Sequence, residues 1–223
     1  MRRIKLAEGE YYHLYNRGVD KRIVFTNKSE YERFTAYLYI LNSTEERIRA
    51  DSFFSGLVIK KDLFSIPQKN PLVAIGAYCL MPNHFHILAT PLTEGGISKF
   101  MHRLQTAYTM FFNEKYERSG SLFQGTYKAQ HADSDRYLKY LFAYIHINPA
   151  KLFDPLWKEK GARDLKKIKR QIEEYPHSSI HEYLSSSFNI TSPTHFPGYF
   201  EKKSDFDSYI SFWLAYKNEN GGD

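Results

Sequence analysis

The sequence predicts an α+β sandwich in which one sheet is covered by helices on one face, with a helical appendage at the C-terminal end. Three observations predict it. Segments of strand and helix character alternate in the order β-α-β-β-α-β-α. The run Leu72 to Leu80 is apolar throughout, as a buried strand should be. Beyond Pro149 the composition turns polar and basic before an aromatic final segment.

Tyr11 to Asn16 reads as a short strand, which Arg17-Gly18 ends in a turn. From Ser29, a plausible N-cap, Tyr31, Phe34, Tyr37, Leu38 and Leu41 recur at helical spacing. Asn42 to Pro71 mixes charge, serine and the apolar patch Gly56 to Ile59, and reads as an irregular excursion or short extra hairpin. Leu72 to Leu80 and His84 to Thr90 then form two strands joined at Met81-Pro82-Asn83. Ile97, Phe100, Met101, Leu104, Tyr108 and Phe111 share one face of a helix running to about Tyr116, with Gly95-Gly96 at its start. A strand from about Ser121 to His131 follows, and Asp133 or Ser134 caps a helix ending at Asn148-Pro149. A basic helix near Asp164 to Glu174 and the segment Phe206 to Tyr216 complete the chain. This divides it into a principal domain, 1–151, and an appendage, 152–223, packed on it.

At 223 residues, 42% hydrophobic and 17% aromatic, the chain has enough apolar area to fold on its own. Its net charge of +6 and pI of about 9.1 suit a polyanionic partner, because each neutralised phosphate releases counterions. The single cysteine, Cys79, excludes an internal disulfide and lies in the apolar run, where it reads as a packed thiol. No long apolar stretch or signal sequence marks a membrane protein, so the expected location is the cytoplasm.

Two patterns carry chemistry. In Asn83-His84-Phe85-His86-Ile87, alternate residues of a strand share a face, so both imidazoles point one way and can share a metal. In the helix before Pro149, Tyr137, Tyr140, Tyr144 and Asn148 fall in one stripe, flanking a core face of Leu138, Phe142 and Ile145. If that helix packs beside the histidine strand, the Asn148 amide completes a site of two imidazoles and one oxygen. Mg²⁺ or Mn²⁺ suits such a site, and open positions remain for a phosphate. His146 falls nearly opposite Tyr144 on the wheel and is left out of the site.

Tyr12-His13-Leu14-Tyr15-Asn16-Arg17-Gly18, Tyr78 to His86, Gly120 to Tyr127 and Tyr144 to Pro149 resemble, in order, the motifs of the single-tyrosine HUH transposases. They resemble most narrowly the REP-associated tyrosine transposases, and Tyr175-Pro176-His177-Ser178-Ser179 resembles a later motif of that group. The resemblance spans roughly Tyr11 to Lys151. It implies a ferredoxin-like antiparallel sheet, Mg²⁺ or Mn²⁺, and single-stranded DNA with a hairpin as substrate. By the same match His84, His86 and Asn148 are metal ligands, and Tyr144 is the nucleophile of a 5′-phosphotyrosine intermediate. Arg17, Lys99, Arg103, Tyr127 and Tyr140 are candidates for contacts to DNA phosphates and bases. The expected state is a monomer or homodimer. Alternatives are a domesticated hairpin-binding regulator without cleavage, a rolling-circle initiator or relaxase, and a metallohydrolase. Only a tyrosine enzyme leaves DNA covalently attached to the protein.

Overall fold

A computed structural model describes residues 6–45, 63–64 and 67–216. Strands β1 (Tyr12–Arg17), β2 (Val73–Met81), β3 (His84–Pro91) and β4 (Lys128–His131) form one sheet in the order β2-β3-β1-β4, with every neighbouring pair antiparallel. Helix α1 (Lys28–Ile40) links β1 to β2, α2 (Gly96–Lys115) links β3 to β4, and α3 (Asp135–Ile147) follows β4. This is the α+β class and the element order that the sequence predicts. Short helices α4 (Ala150–Phe153) and α5 (Trp157–Lys160) precede α6 (Leu165–Glu173), α7 (Ile180–Ser185) and α8 (Lys203–Ala215).

Strands β2 and β3 are joined by the two-residue turn Pro82-Asn83, with Met81 opposite His84. Alternation along β3 divides the core. Phe85, Ile87 and Ala89 join Leu14, Phe34, Phe100, Leu104 and Tyr108 on the side of α1 and α2. Leu88 joins Ala74, Ala77 and Cys79 of β2 on the opposite side, against Leu138, Phe142 and Ile145 of α3. Helices therefore cover both faces of the sheet, a correction to the one-face arrangement expected from sequence. The reason lies in β2, whose nine residues are all buried. Its second face carries small side chains that let α3 approach closely, and a strand so lined needs a partner on each side.

Other differences are local. The predicted strand from Ser121 contracts to Lys128–His131, because Gly120 and Gly125 adopt positive φ of 87° and 66° and turn the chain before pairing begins. The N-cap position of α1 is Asn27 in place of Ser29. Most of the Asn42 to Pro71 excursion, including Gly56 to Ile59, lies outside the described residues. Its ends are held together: Asn42 Oδ1 accepts from the Leu72 and Val73 amides at 3.0 and 2.9 Å, and Ser43 Oγ donates to Lys69 O at 2.8 Å.

The C-terminal region shares the second core, to which Trp157, Ile168, Ile172, Ile180, Tyr183, Phe196, Phe206 and Ile210 all belong. It also runs along the free edge of β2. Leu80 N donates to His177 O (2.8 Å), Ser179 N to Tyr78 O (3.0 Å), Ser192 N to Ile75 O (2.8 Å) and Tyr183 Oη to Gly76 O (2.6 Å). At Gly76 the approach is so close that a Cβ would lie 2.7 Å from the Phe196 ring. Among the described residues no helix is long and apolar enough to cross a membrane.

One buried chain of hydrogen bonds joins β2, the C-terminal region and α3. Tyr78 N donates to Ser179 Oγ (2.9 Å), and Ser179 Oγ lies 2.7 Å from His146 Nε2. His146 Nδ1 lies 2.7 Å from Phe142 O. A carbonyl only accepts, so Nδ1 carries the proton and Nε2 accepts from the Ser179 hydroxyl. His146 and Ser179 are both fully buried. Ser179→Ala orphans the Tyr78 amide and the His146 ring nitrogen together and is expected to cost about 2–3 kcal/mol, read as a lower midpoint in urea unfolding with unchanged slope.

Candidate active site

The side of β3 that faces α3 carries His84 and His86, and the neighbouring strand β1 contributes His13 to the same side. His86 is 6% and His13 5% exposed. The rings of His84 and His86 lie edge to face with centroids 5.0 Å apart, while His13 stacks on His86 at 4.9 Å, its Nε2 2.8 Å from His86 Nδ1. His84 Nδ1 sits 2.7 Å from Asn83 Oδ1 in the β2–β3 turn. Each imidazole of the pair thus has one nitrogen engaged by a fixed neighbour, the arrangement that orients a ring and sets its tautomer.

Helix α3 brings its tyrosine stripe against these rings. Ser134 caps the helix by accepting from the Tyr137 amide, and the core face of Leu138, Phe142 and Ile145 turns the stripe toward β1 and β3. Tyr144 meets His86 edge to face at 5.5 Å and His13 at 5.7 Å. Asn148, one turn beyond Tyr144 and 8% exposed, lies beside both His84 and Tyr144 and acts on the ionisation of each. The structure therefore brings together Tyr144, His84, His86 and Asn148, and keeps His146 on the opposite side of α3.

Burial dominates the electrostatics. It pulls His84 down to about 4, assisted by the Arg17 charge, and His13 to about 4. His86 falls well below the usual imidazole range, from burial and then from His13 and His84 beside it. All three rings are neutral at pH 7, with lone pairs available for ligation. Burial raises the Tyr144 phenol, and Asn148 works against that rise. Among the described residues no group of three His, Cys, Asp or Glu is placed to hold a metal.

The five candidates for DNA contact separate. Arg17 is exposed at the end of β1, paired in register with His84, and Tyr140 lies 5.9 Å from Tyr144. Lys99 and Arg103 lie on α2, the helix packed on the other face of the sheet, where Arg103 donates to Ser43 O at 2.6 Å. Tyr127 is 7% exposed within the core of that face, its hydroxyl 3.4 Å from Ser98 Oγ. Phe123 is buried in the same core.

Sequence reasoning missed His13, although alternation along β1 places it with Tyr11 and Tyr15 on one side. It also missed Lys158, whose ammonium lies 5.1 Å from the Tyr144 ring centroid. No periodicity marks that lysine, which sits in a four-residue helix after a turn.

A class emerges from this geometry, an antiparallel sheet covered by helices on both faces and presenting a histidine pair to a tyrosine on α3. Residues 59–148, 90 of the 223, match the family model described as "Transposase IS200 like", a stretch that includes β2, β3, α2, β4 and α3. Among solved structures one match is the "Structure of the REP associates tyrosine transposase bound to a REP hairpin". It is 13% identical with a TM-score of 0.49, covering 86% of this chain and 89% of that one. A comparison with curated proteins finds no match.

Acidification should destabilise the fold through the buried rings. His13, His84 and His146 have folded pKa values of about 4, below the unfolded 6.5, so between those values the unfolded chain binds protons that the folded chain refuses. Stability is therefore complete above about pH 6.5, declines toward pH 4 and gains no further loss from these groups below it. Thermal melting at a series of pH values checks this, and a melting temperature constant from pH 7 to 4.5 contradicts it.

Proposed function

We propose that the protein is a single-tyrosine transposase that cuts and rejoins single-stranded DNA beside a hairpin, with Tyr144 as the nucleophile. The observation that carries this reading is the meeting of half-buried Tyr144 and His84 with buried His86 and Asn148 in one cluster. The IS200-like match of residues 59–148 supports the transposase class. The hairpin follows from the resemblance of the sequence motifs.

In the proposed reaction the Tyr144 oxygen attacks the phosphorus of a phosphodiester. The bond to the 3′ oxygen breaks, the phenol gives up its proton and the departing oxygen takes one up as a 3′ hydroxyl. The strand stays joined to the protein through a 5′-phosphotyrosine. A second 3′ hydroxyl then attacks the same phosphorus, the tyrosyl bond breaks and the phenol is restored. The energy of the phosphodiester is kept throughout, which attack by water would lose.

The donor set fits a hard divalent cation such as Mg²⁺ or Mn²⁺, because His84 and His86 are neutral and Asn148 offers an amide oxygen between His84 and Tyr144. These three residues would hold it, and when bound it would supply Lewis acidity at a phosphate oxygen. His13 holds His86 through its ring nitrogen and so acts as a positioning residue. Asn148 steadies the phenol oxygen. Arg17 and Tyr140, both beside this cluster, are the DNA contacts the geometry favours. Residues 1–151 supply the reacting groups in this reading, and 152–223 complete the second core and the surroundings of Tyr144.

Incubation of the protein with labelled hairpin DNA carrying single-stranded flanks, in Mn²⁺, should give a covalent adduct on denaturing electrophoresis. Tyr144→Phe is expected to lower adduct formation by at least about a thousandfold, while Tyr140→Phe still forms it. Cleavage without an adduct would point to a hydrolase, and hairpin binding without cleavage to a regulator. His13→Gln should weaken Mn²⁺ binding by about 10- to 100-fold in calorimetric titration, since the ring it orients is then free to turn.

A further inference from the structure

Next to Tyr144 the C-terminal region closes a pocket of about 70 Å³, walled by Tyr140, Trp157 and Trp213 and bearing Lys151 and Lys158. Its contents are unlike those of an ordinary core. Trp213 meets Tyr140 edge to face at 4.7 Å, so two aromatic rings stand at a steep angle in one wall. Lys158 Nζ lies 5.1 Å from the ring centroid of Tyr144 and 5.7 Å from that of Trp157. Neither lysine forms an ion pair with any described residue, and Lys151 is close enough to disfavour the charge on Lys158. Burial and that neighbour lower the Lys158 pKa, and Glu159 offsets them only as the smallest influence. Trp157 is 6% exposed and its indole N–H has no hydrogen-bond partner.

Both lysines are exposed and screened by water, but among the described residues they stand without an acidic partner beside a buried indole N–H that lacks an acceptor, so an anion bound here would serve both. The occupant must be an anion that also offers a flat ring. An inorganic phosphate would leave the aromatic walls uncovered, and a neutral ring would leave the lysines unpaired. A nucleotide does both, since phosphate oxygens pair with ammonium groups and every base can stack.

We propose that Lys151, Lys158, Trp157 and Trp213 form a subsite for the unpaired nucleotide adjoining the phosphate that Tyr144 attacks, its phosphodiester held by the two lysines and its base against the indole face. This rests on the reading of Tyr144 as the nucleophile. It gives the C-terminal region a part in choosing the cut position, because a base paired within the hairpin stem cannot enter.

The chain contains two tryptophans, and both line this pocket, so intrinsic fluorescence reports on it directly. With Tyr144→Phe protein, a hairpin oligonucleotide with a single-stranded extension should change tryptophan emission saturably, whereas the blunt hairpin and inorganic phosphate should not. Lys158→Ala is expected to weaken binding of the extended hairpin about tenfold by anisotropy, with blunt-hairpin binding retained as the sign of an intact fold. Lys158→Arg should restore affinity to within about twofold. An extended hairpin that binds without altering emission, or that binds Lys158→Ala as tightly as the parent, overturns the subsite. In either case an adduct formed by the unaltered protein leaves Tyr144 standing as the nucleophile. Altered emission without any adduct from the unaltered protein overturns instead the placement of this pocket beside a reacting phosphate.

Discussion

The rotation of α3 about its own axis is the constraint on which the site depends, and the neutral ring of His146 sets it. That ring is held at both nitrogens, by Phe142 O within the helix and by Ser179 Oγ outside it. Because Ser179 also accepts from Tyr78 of β2, the helix is fixed relative to the sheet by a hydrogen-bonded link as well as by apolar packing. Apolar contact alone tolerates small rotations, whereas a buried donor and acceptor lose their partners when the helix turns. Tyr144 and Asn148 lie on the far side of the same helix, so a ring that touches neither of them determines where they point.

Small residues on β2 make the arrangement possible. Ala74, Ala77 and Cys79 leave space on the second face of the sheet, and α3 settles close enough for Tyr144 to contact rings projecting from β3 and β1. The imidazoles are then neutral because they are buried, and they are buried because the helix covers them. Packing, protonation state and ligating capacity thus have one origin. The same burial that keeps the histidines neutral raises the Tyr144 phenol, so in the proposed reaction the groups around it would have to favour its ionised form.

Much of the fold was legible in the sequence. Alternation placed His84 and His86 on one side of a strand, and helical spacing placed Tyr140, Tyr144 and Asn148 in one stripe, because both periodicities follow from backbone geometry alone. The choice of sheet face was not legible. An apolar run such as Leu72 to Leu80 signals burial without saying whether one layer or two provides it, which is why helices were expected on a single face. Tyr127 illustrates a related limit, since an aromatic in the expected Ser121 to His131 strand reads as available for stacking while its actual place is inside the core. Lys158 and Trp213 were invisible for another reason, as they reach Tyr144 through tertiary folding of a polar region whose local pattern carries no information about that distant helix.

The segment lying along β2 has a consequence for how this protein can be shortened or joined to others. An open sheet ends in rows of unpaired amides and carbonyls that can recruit any extended chain. Here the outer row of β2 is already engaged by His177, Ser179 and Ser192. A version trimmed before this stretch would expose an apolar nine-residue strand with its bonding groups vacant, and would be prone to aggregate. Continuation of the sheet into another polypeptide is left to the opposite border, where β4 is four residues long and carries exposed Lys128 and Gln130.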